Sequence, residues 1–277
     1  MRSMPLPPFV GKMASLKPLR LCSAVGGLLF AFVVSAGDDT FTIELEAIAD
    51  NSLFQEGDLS NGGGEHTFVG RIASGALRRA LIKFDVSTIP GNAVVESAEL
   101  TLNMSRTISG TLNIGAHRLL NSWGEGTADA PGQEGGGAPA QTGDATWLHR
   151  HFPTELWSTE GGDFVDQASA TSPVFMTLGQ YQWSGSGMVA DINSWRSTPS
   201  SNHGWILVSS ESPTLGTAKR FDSREITDQA NAPRLVLTLS LPPARAIPTT
   251  SASAQLALAI GLLLLAAFWF RHYRRLH

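Results

Sequence analysis

The chain has a single cysteine, Cys22, among its 277 residues, so no internal disulfide can hold it together. Tyrosine is almost missing, with only Tyr181 and Tyr273. Acidic residues are absent from both ends. All 24 Asp and Glu lie between Gly37 and Leu241, while eight of the 20 Lys and Arg (Arg2, Lys12, Lys17, Arg20, Arg245, Arg271, Arg274, Arg275) lie outside that span. The middle therefore sets 12 basic against 24 acidic residues, a net −12 hidden under a whole-chain charge of −4. A domain so acidic repels a phosphate backbone, which argues against a nucleic-acid partner. Catalytic signatures are missing too: there is no Gly-x-Ser-x-Gly elbow, no His-Glu-x-x-His helix and no phosphate-cradling loop. The run Trp183-Ser184-Gly185-Ser186-Gly187 has the wrong order for an elbow.

What is present divides the chain into unlike pieces. Residues 1–36 carry scattered positive charge, an apolar run from Leu21 to Val34, then Val34-Ser35-Ala36 before Gly37. That is the layout of a secretory signal peptide cleaved after Ala36; an uncleaved anchor is the competing reading. Cleavage there would leave a mature chain without cysteine. At the other end, 242–254 is a Pro-stiffened linker, 255–271 reads as a transmembrane helix, and 272–277 is a basic tail. Positive charge after the helix puts the tail in the cytoplasm and the acidic domain outside. The tail resembles the IPTL and PEP-type C-terminal sorting signals of bacteria, with Ile247-Pro248-Thr249-Thr250 as the motif, and so implies an exosortase-like sorting enzyme as a partner. Thr250 stands where that family has Leu, and the plain alternative is a single-pass anchor. Either way the expected location is the cell surface or the extracellular space, through the secretory pathway.

Between the ends, apolar residues alternate with polar ones. Phe41, Ile43, Leu45 and Ala47 face one way, and Thr42, Glu44 and Glu46 the other. The alternation returns at Ala98 to Met104, Leu112 to Ala116 and Leu235 to Leu239, which predicts half-buried antiparallel strands. Thr67 to Val69, Ala80 to Phe84 and Trp205 to Val208 are further strands, punctuated by Asn61-Gly62-Gly63-Gly64, Pro90-Gly91-Asn92 and Ser109-Gly110. The fold class is all-β: residues 37–241 form an antiparallel β-sandwich. One short helix interrupts it, with Met188, Val189, Ile192 and Trp195 on one face and Ser186 as N-cap. A long irregular insertion runs from Asn121 to about Ser172, with a flexible Gly-rich front and an aromatic back half that folds onto the domain.

Several segments together resemble the DNRLRE-type domain family of secreted bacterial proteins, which is related to carbohydrate-binding modules of family 96. They are Asp50-Asn51-Ser52-Leu53-Phe54, Phe68-Val69-Gly70-Arg71, Arg78-Arg79-Ala80-Leu81-Ile82-Lys83-Phe84-Asp85, Ser97-Ala98-Glu99-Leu100-Thr101-Leu102, Asn202-His203-Gly204-Trp205 and Lys219-Arg220-Phe221-Asp222-Ser223-Arg224-Glu225. The resemblance implies a jelly-roll-like sandwich, non-catalytic and extracellular, with polysaccharide as partner.

Sugar recognition needs aromatic faces and fixed polar groups. Trp123, Trp147 and Trp157 on the insertion, with His149 and His151, are the candidate carbohydrate site; Trp205, inside a strand pattern, is core. The two histidines could hold a metal, but no third ligand is marked. Arg78 and Arg79 must point to opposite faces of a strand, and with Asp222, Arg224 and Glu225 they form an expected Arg/carboxylate cluster, in which Asp222 or Glu225 is the partner. No cofactor is expected beyond a structural calcium, for which Asp50, Glu56 and Asp58 offer hard oxygen ligands near a turn. Two alternatives compete with the binding module. One is a structural envelope or matrix protein with no sugar site; the other is a polysaccharide lyase using Tyr181, the only tyrosine of the middle domain.

Overall fold

The structure, a computed structural model, describes residues 40–242 and 252–273. The signal peptide at 1–36, the sorting motif at 247–250 and the last four residues of the basic tail lie outside the described residues.

Ten strands form the sandwich: β1 (Thr40–Phe54), β2 (His66–Arg71), β3 (Leu77–Phe84), β4 (Val94–Thr107), β5 (Leu112–Arg118), β6 (Ala170–Val174), β7 (Gly179–Ser184), β8 (Trp205–Ser209), β9 (Lys219–Asp222) and β10 (Arg234–Ser240). One sheet is built from β7, β4, β10 and the first half of β1, with β9 and β2 continuing beside β4. The other runs β6–β5–β8–β3 to the second half of β1. Every pairing is antiparallel, as the alternating patterns require.

β1 and β2 each serve both sheets. Thr40 to Glu46 pair with β10, and Ala47 to Phe54 pair with β3, with a register shift between Ala47 and Ala49. A bulge is how a strand turns such a corner, and here it leaves Ile48 exposed beside the buried Ala47. Likewise His66 to Val69 pair with β9, and Gly70 and Arg71 with β3.

The main core lies between the sheets and holds Phe84, Leu100, Leu102, Trp183, Trp205, Phe221 and Leu237. α1 (Ser186–Ser197) adds Met188, Ile192 and Trp195 to it. Trp195 stacks on Trp205 with ring centroids 4.6 Å apart. Ser186 is the first helical residue rather than the cap: Gly185 holds the N-cap position and no side chain caps the helix.

A second core covers the outer face of the β3 sheet. Leu53, Leu77, Leu81 and Ile206 point away from the main core and are buried by Leu119, Ala145, Trp147 and Trp157. The insertion is therefore a third layer. Its Gly-rich front is not flexible, as the composition had suggested, but packed and bonded. Gly63 donates to the Ala128 carbonyl, Ala130 donates to Asn61, and Ala128, Ala130 and Ala138 form their own buried cluster. Gly126 shows why glycine is required there. Its φ is 77°, and a Cβ would lie 1.5 Å from Asp144 Oδ1.

α2 (Ala252–Tyr273) carries exposed large apolar side chains from Leu256 to Phe270. Among the described residues no helix is long and apolar enough to cross a membrane, so the span expected over 255–271 is not supported. The helix has 22 residues, but its uninterrupted apolar run, Leu256 to Phe270, rises only about 22 Å against roughly 30 Å of hydrocarbon.

Candidate functional site

The insertion is fixed by buried polar side chains, each satisfying several backbone groups. Asn51, fully buried on the outer face of β1, donates to Ser60 Oγ at 2.8 Å and to the Glu125 carbonyl at 2.7 Å, and its Oδ1 accepts from the Asn61 amide at 3.0 Å. Glu134 accepts from Asn61 Nδ2 and the His66 amide at 2.8 and 2.9 Å and lies 3.0 Å from His66 Nδ1. Burial opposes charge on Glu134, but the hydrogen bonds from His66 and Asn61 outweigh it and hold its carboxyl below the usual range. Asp163 is held low in the same way: burial opposes its charge, and the amides of Ser158 and Thr159 and the Asn121 side chain outweigh it.

The stacking platform expected from the tryptophans does not form. Trp147 and Trp157 are 6% and 5% exposed, inside the second core. The Trp157 indole donates to the Thr146 carbonyl, and the Arg79 guanidinium lies 4.8 Å over the Trp147 ring. Trp123 is half-buried against the same core and donates to the His203 carbonyl at 2.8 Å. His149 is half-buried, edge-on to Phe152 and bonded to Thr146 Oγ1, while half-buried His151 neighbours the Gly124 backbone. The apolar outer face of β3 takes the tryptophans as its cover.

The arginines do face opposite ways, but their partners differ from those expected. Arg78 is buried over the Phe54 ring and bonds both oxygens of Glu56. Arg79 forms a two-point pair with Glu211 at 2.7 and 3.0 Å. Arg224 pairs with Glu125 at 2.6 and 3.0 Å and with Glu225 at 2.9 Å. Asp222 accepts from Asn103 at 2.7 Å and lies 3.7 Å from His66 Nε2. The five residues are therefore split among separate locks between segments, for which one local motif is too short. Glu125 and Glu211, far away in sequence, carry no signal of their own beyond being acids in turn-rich stretches.

The calcium set expected from Asp50, Glu56 and Asp58 does not assemble either. Glu56 is taken by Arg78, and Asp58 stands 3.4 Å from His149. Asp50 instead meets Glu125 and Glu225, and the three carboxylates offer oxygens within 4.8 Å of one another. Burial first, then the charge of Glu225, push the Asp50 carboxyl well above its usual range. Burial also raises Glu225, against the pull of Arg224.

A cleft of about 650 Å³ opens beside α1, lined by Asp85, Ser87, Asn193, Trp195, Arg196 and Asn202. Arg196 donates to the carbonyls of Pro90 and Gly91 at 2.9 and 3.3 Å, which ties the helix end to the β3–β4 loop. Asp85 is exposed, and hydrogen bonds from Ser87 keep its carboxyl below the usual range. The buried Trp195 indole N–H has no partner. Such a cleft can receive a hydroxyl-rich ligand: it offers a charged acceptor, a guanidinium and amide groups in a volume typical of small-molecule sites. Tyr181, by contrast, donates its hydroxyl to the Thr177 carbonyl at 2.7 Å, in the turn before its own strand.

No family model and no curated protein sequence matches the chain.

Proposed function

We propose that this protein is an exported, non-catalytic module of the cell surface, of the DNRLRE type, that binds or organises extracellular polysaccharide through the cleft beside α1. The cleft is the single observation that carries this reading. It gathers exposed polar groups around a volume of small-molecule size, whereas the tryptophans of the insertion are committed to packing. α2 presents a run of exposed apolar side chains that call for a covering, and in this reading a membrane surface, without a span, supplies it before any sorting-enzyme cleavage.

A structural envelope protein without a sugar site is the second reading. It is favoured by the ion pairs and the buried Trp147 and Trp157, which lock the layers together and leave no aromatic platform. A glycan array probed with the full-length protein separates the two. Retention on one or a few acidic or neutral polysaccharides, without release of unsaturated sugars, is expected. A folded protein that binds none leaves the structural reading. Ultraviolet-absorbing products lost in Tyr181→Phe would instead identify a lyase.

A further inference from the structure

We propose that Asp50, Glu125 and Glu225 hold a hard divalent cation, calcium by preference, that ties the insertion to the sandwich. The three carboxylates come from β1, from the insertion and from the loop after β9, and their oxygens lie within 4.8 Å of one another. Proximity of acids alone would not make a site. Here two carboxylate oxygens, Asp50 Oδ1 and Glu225 Oε2, are buried without any hydrogen-bond partner, and Asp50 is 1% exposed. A buried, unpaired carboxylate oxygen is costly, and a cation is the partner that would satisfy both at once.

Charge points the same way. Asp50 Oδ2 accepts from the Arg224 amide at 2.7 Å, and the Arg224 guanidinium, shared between Glu125 and Glu225, is the cation the chain supplies to this group. Three carboxylates against one guanidinium leave two negative charges, which a divalent ion neutralises. The donor set is all oxygen, with no imidazole or thiolate, and such sets suit calcium and magnesium rather than zinc or copper. Calcium tolerates the irregular geometry of side chains drawn from three unrelated segments, and magnesium demands a near-ideal octahedron. The inference is independent of any sugar in the α1 cleft.

The test is thermal unfolding of the full-length protein in detergent, after chelation, with and without added calcium chloride. Isothermal titration with calcium chloride gives the stoichiometry. Wild type should bind one calcium and gain about 5–10 °C at calcium 100-fold above its dissociation constant. Asp50→Asn and Glu225→Gln should fold, since each removes an unpaired buried charge, and should lose both the heat and the shift. No calcium heat and no shift in wild type would overturn the proposal and leave Asp50 and Glu225 sharing a proton. A shift that persists undiminished in both variants would overturn it as well.

Discussion

Asn51 shows how much one buried polar residue can organise. Its amide nitrogen and oxygen reach Ser60, the Glu125 carbonyl and the amides of Ser52 and Asn61, joining β1 to the following turn and to the insertion. Leaving a buried partner unsatisfied costs about 1–3 kcal/mol. Asn51→Ala orphans several, so chemical denaturation should show a loss of at least about 3 kcal/mol. The fully buried Lys219 works similarly without an acid: its ammonium donates to Thr107 Oγ1 and to the carbonyls of Ser109, Gly110 and Phe175, drawing two turns together. Such residues are hard to read in a sequence, because Asn51 and Lys219 look like ordinary strand polar positions. Their partners lie as far as 112 positions away.

At the scale of elements, the alternating strands and the folding of the aromatic back half onto the domain were legible, and the packed Gly-rich front and the burial of the tryptophans were not. The alternation in β1, β4, β5 and β10 predicts strands with one wet face, and those strands formed. β6, β7 and β9 were missed, since Ala170–Val174 and Gly179–Ser184 are short and mostly small or polar, and Lys219–Asp222 is four residues with one apolar side chain. The insertion was misread for a more instructive reason. Tryptophans on an irregular segment suggested an exposed platform, but Leu77 and Leu81 alternate with Ala80 and Ile82 in one strand. A strand apolar on both faces needs a cover on each, and the aromatic back half supplies it.

The cover is held by carboxylates, which gives it a pH dependence of definite sign. Glu134 and Asp163 have folded pKa values below their unfolded ones. Their contribution is therefore complete above the unfolded values of about 4 and is lost as pH falls through the folded values. Glu134 is faced by His66 and, at longer range, by Arg220, with Asp222 on the far side of His66. Acidification below about pH 4 should release the insertion. Trp147 and Trp157 fluorescence should then shift to the red before far-ultraviolet circular dichroism reports loss of the strands. Simultaneous loss of both signals would show that the layer does not open separately.

For the whole molecule, the uneven charge sorts the sequence into a basic N-terminal stretch, an acidic sandwich and an apolar helix followed by arginine. The acidic middle is not spread evenly in its consequences. Arg78, Arg79 and Arg224 each neutralise carboxylates between layers, and Asp50, Glu125 and Glu225 concentrate an excess at one seam. The α1 cleft, lined by Asp85, Asn193 and Arg196, lies elsewhere on the surface. The cleft was not legible in the sequence, because Asn193 and Arg196 belong to no motif and are brought together with Asp85 only where α1 meets the β3–β4 loop.

The central claim is that this cleft, and not the tryptophan-bearing insertion, contacts polysaccharide. Isothermal titration of an oligosaccharide selected on the array into wild type, Arg196→Ala and Trp123→Ala tests it most directly. The account predicts at least about tenfold weaker binding by Arg196→Ala, a loss of about 1.4 kcal/mol, with the thermal midpoint only slightly lowered because the ties lost to the Pro90 and Gly91 carbonyls are solvent-exposed, and wild-type affinity in Trp123→Ala. Full affinity in Arg196→Ala together with lost affinity in a folded Trp123→Ala would contradict it.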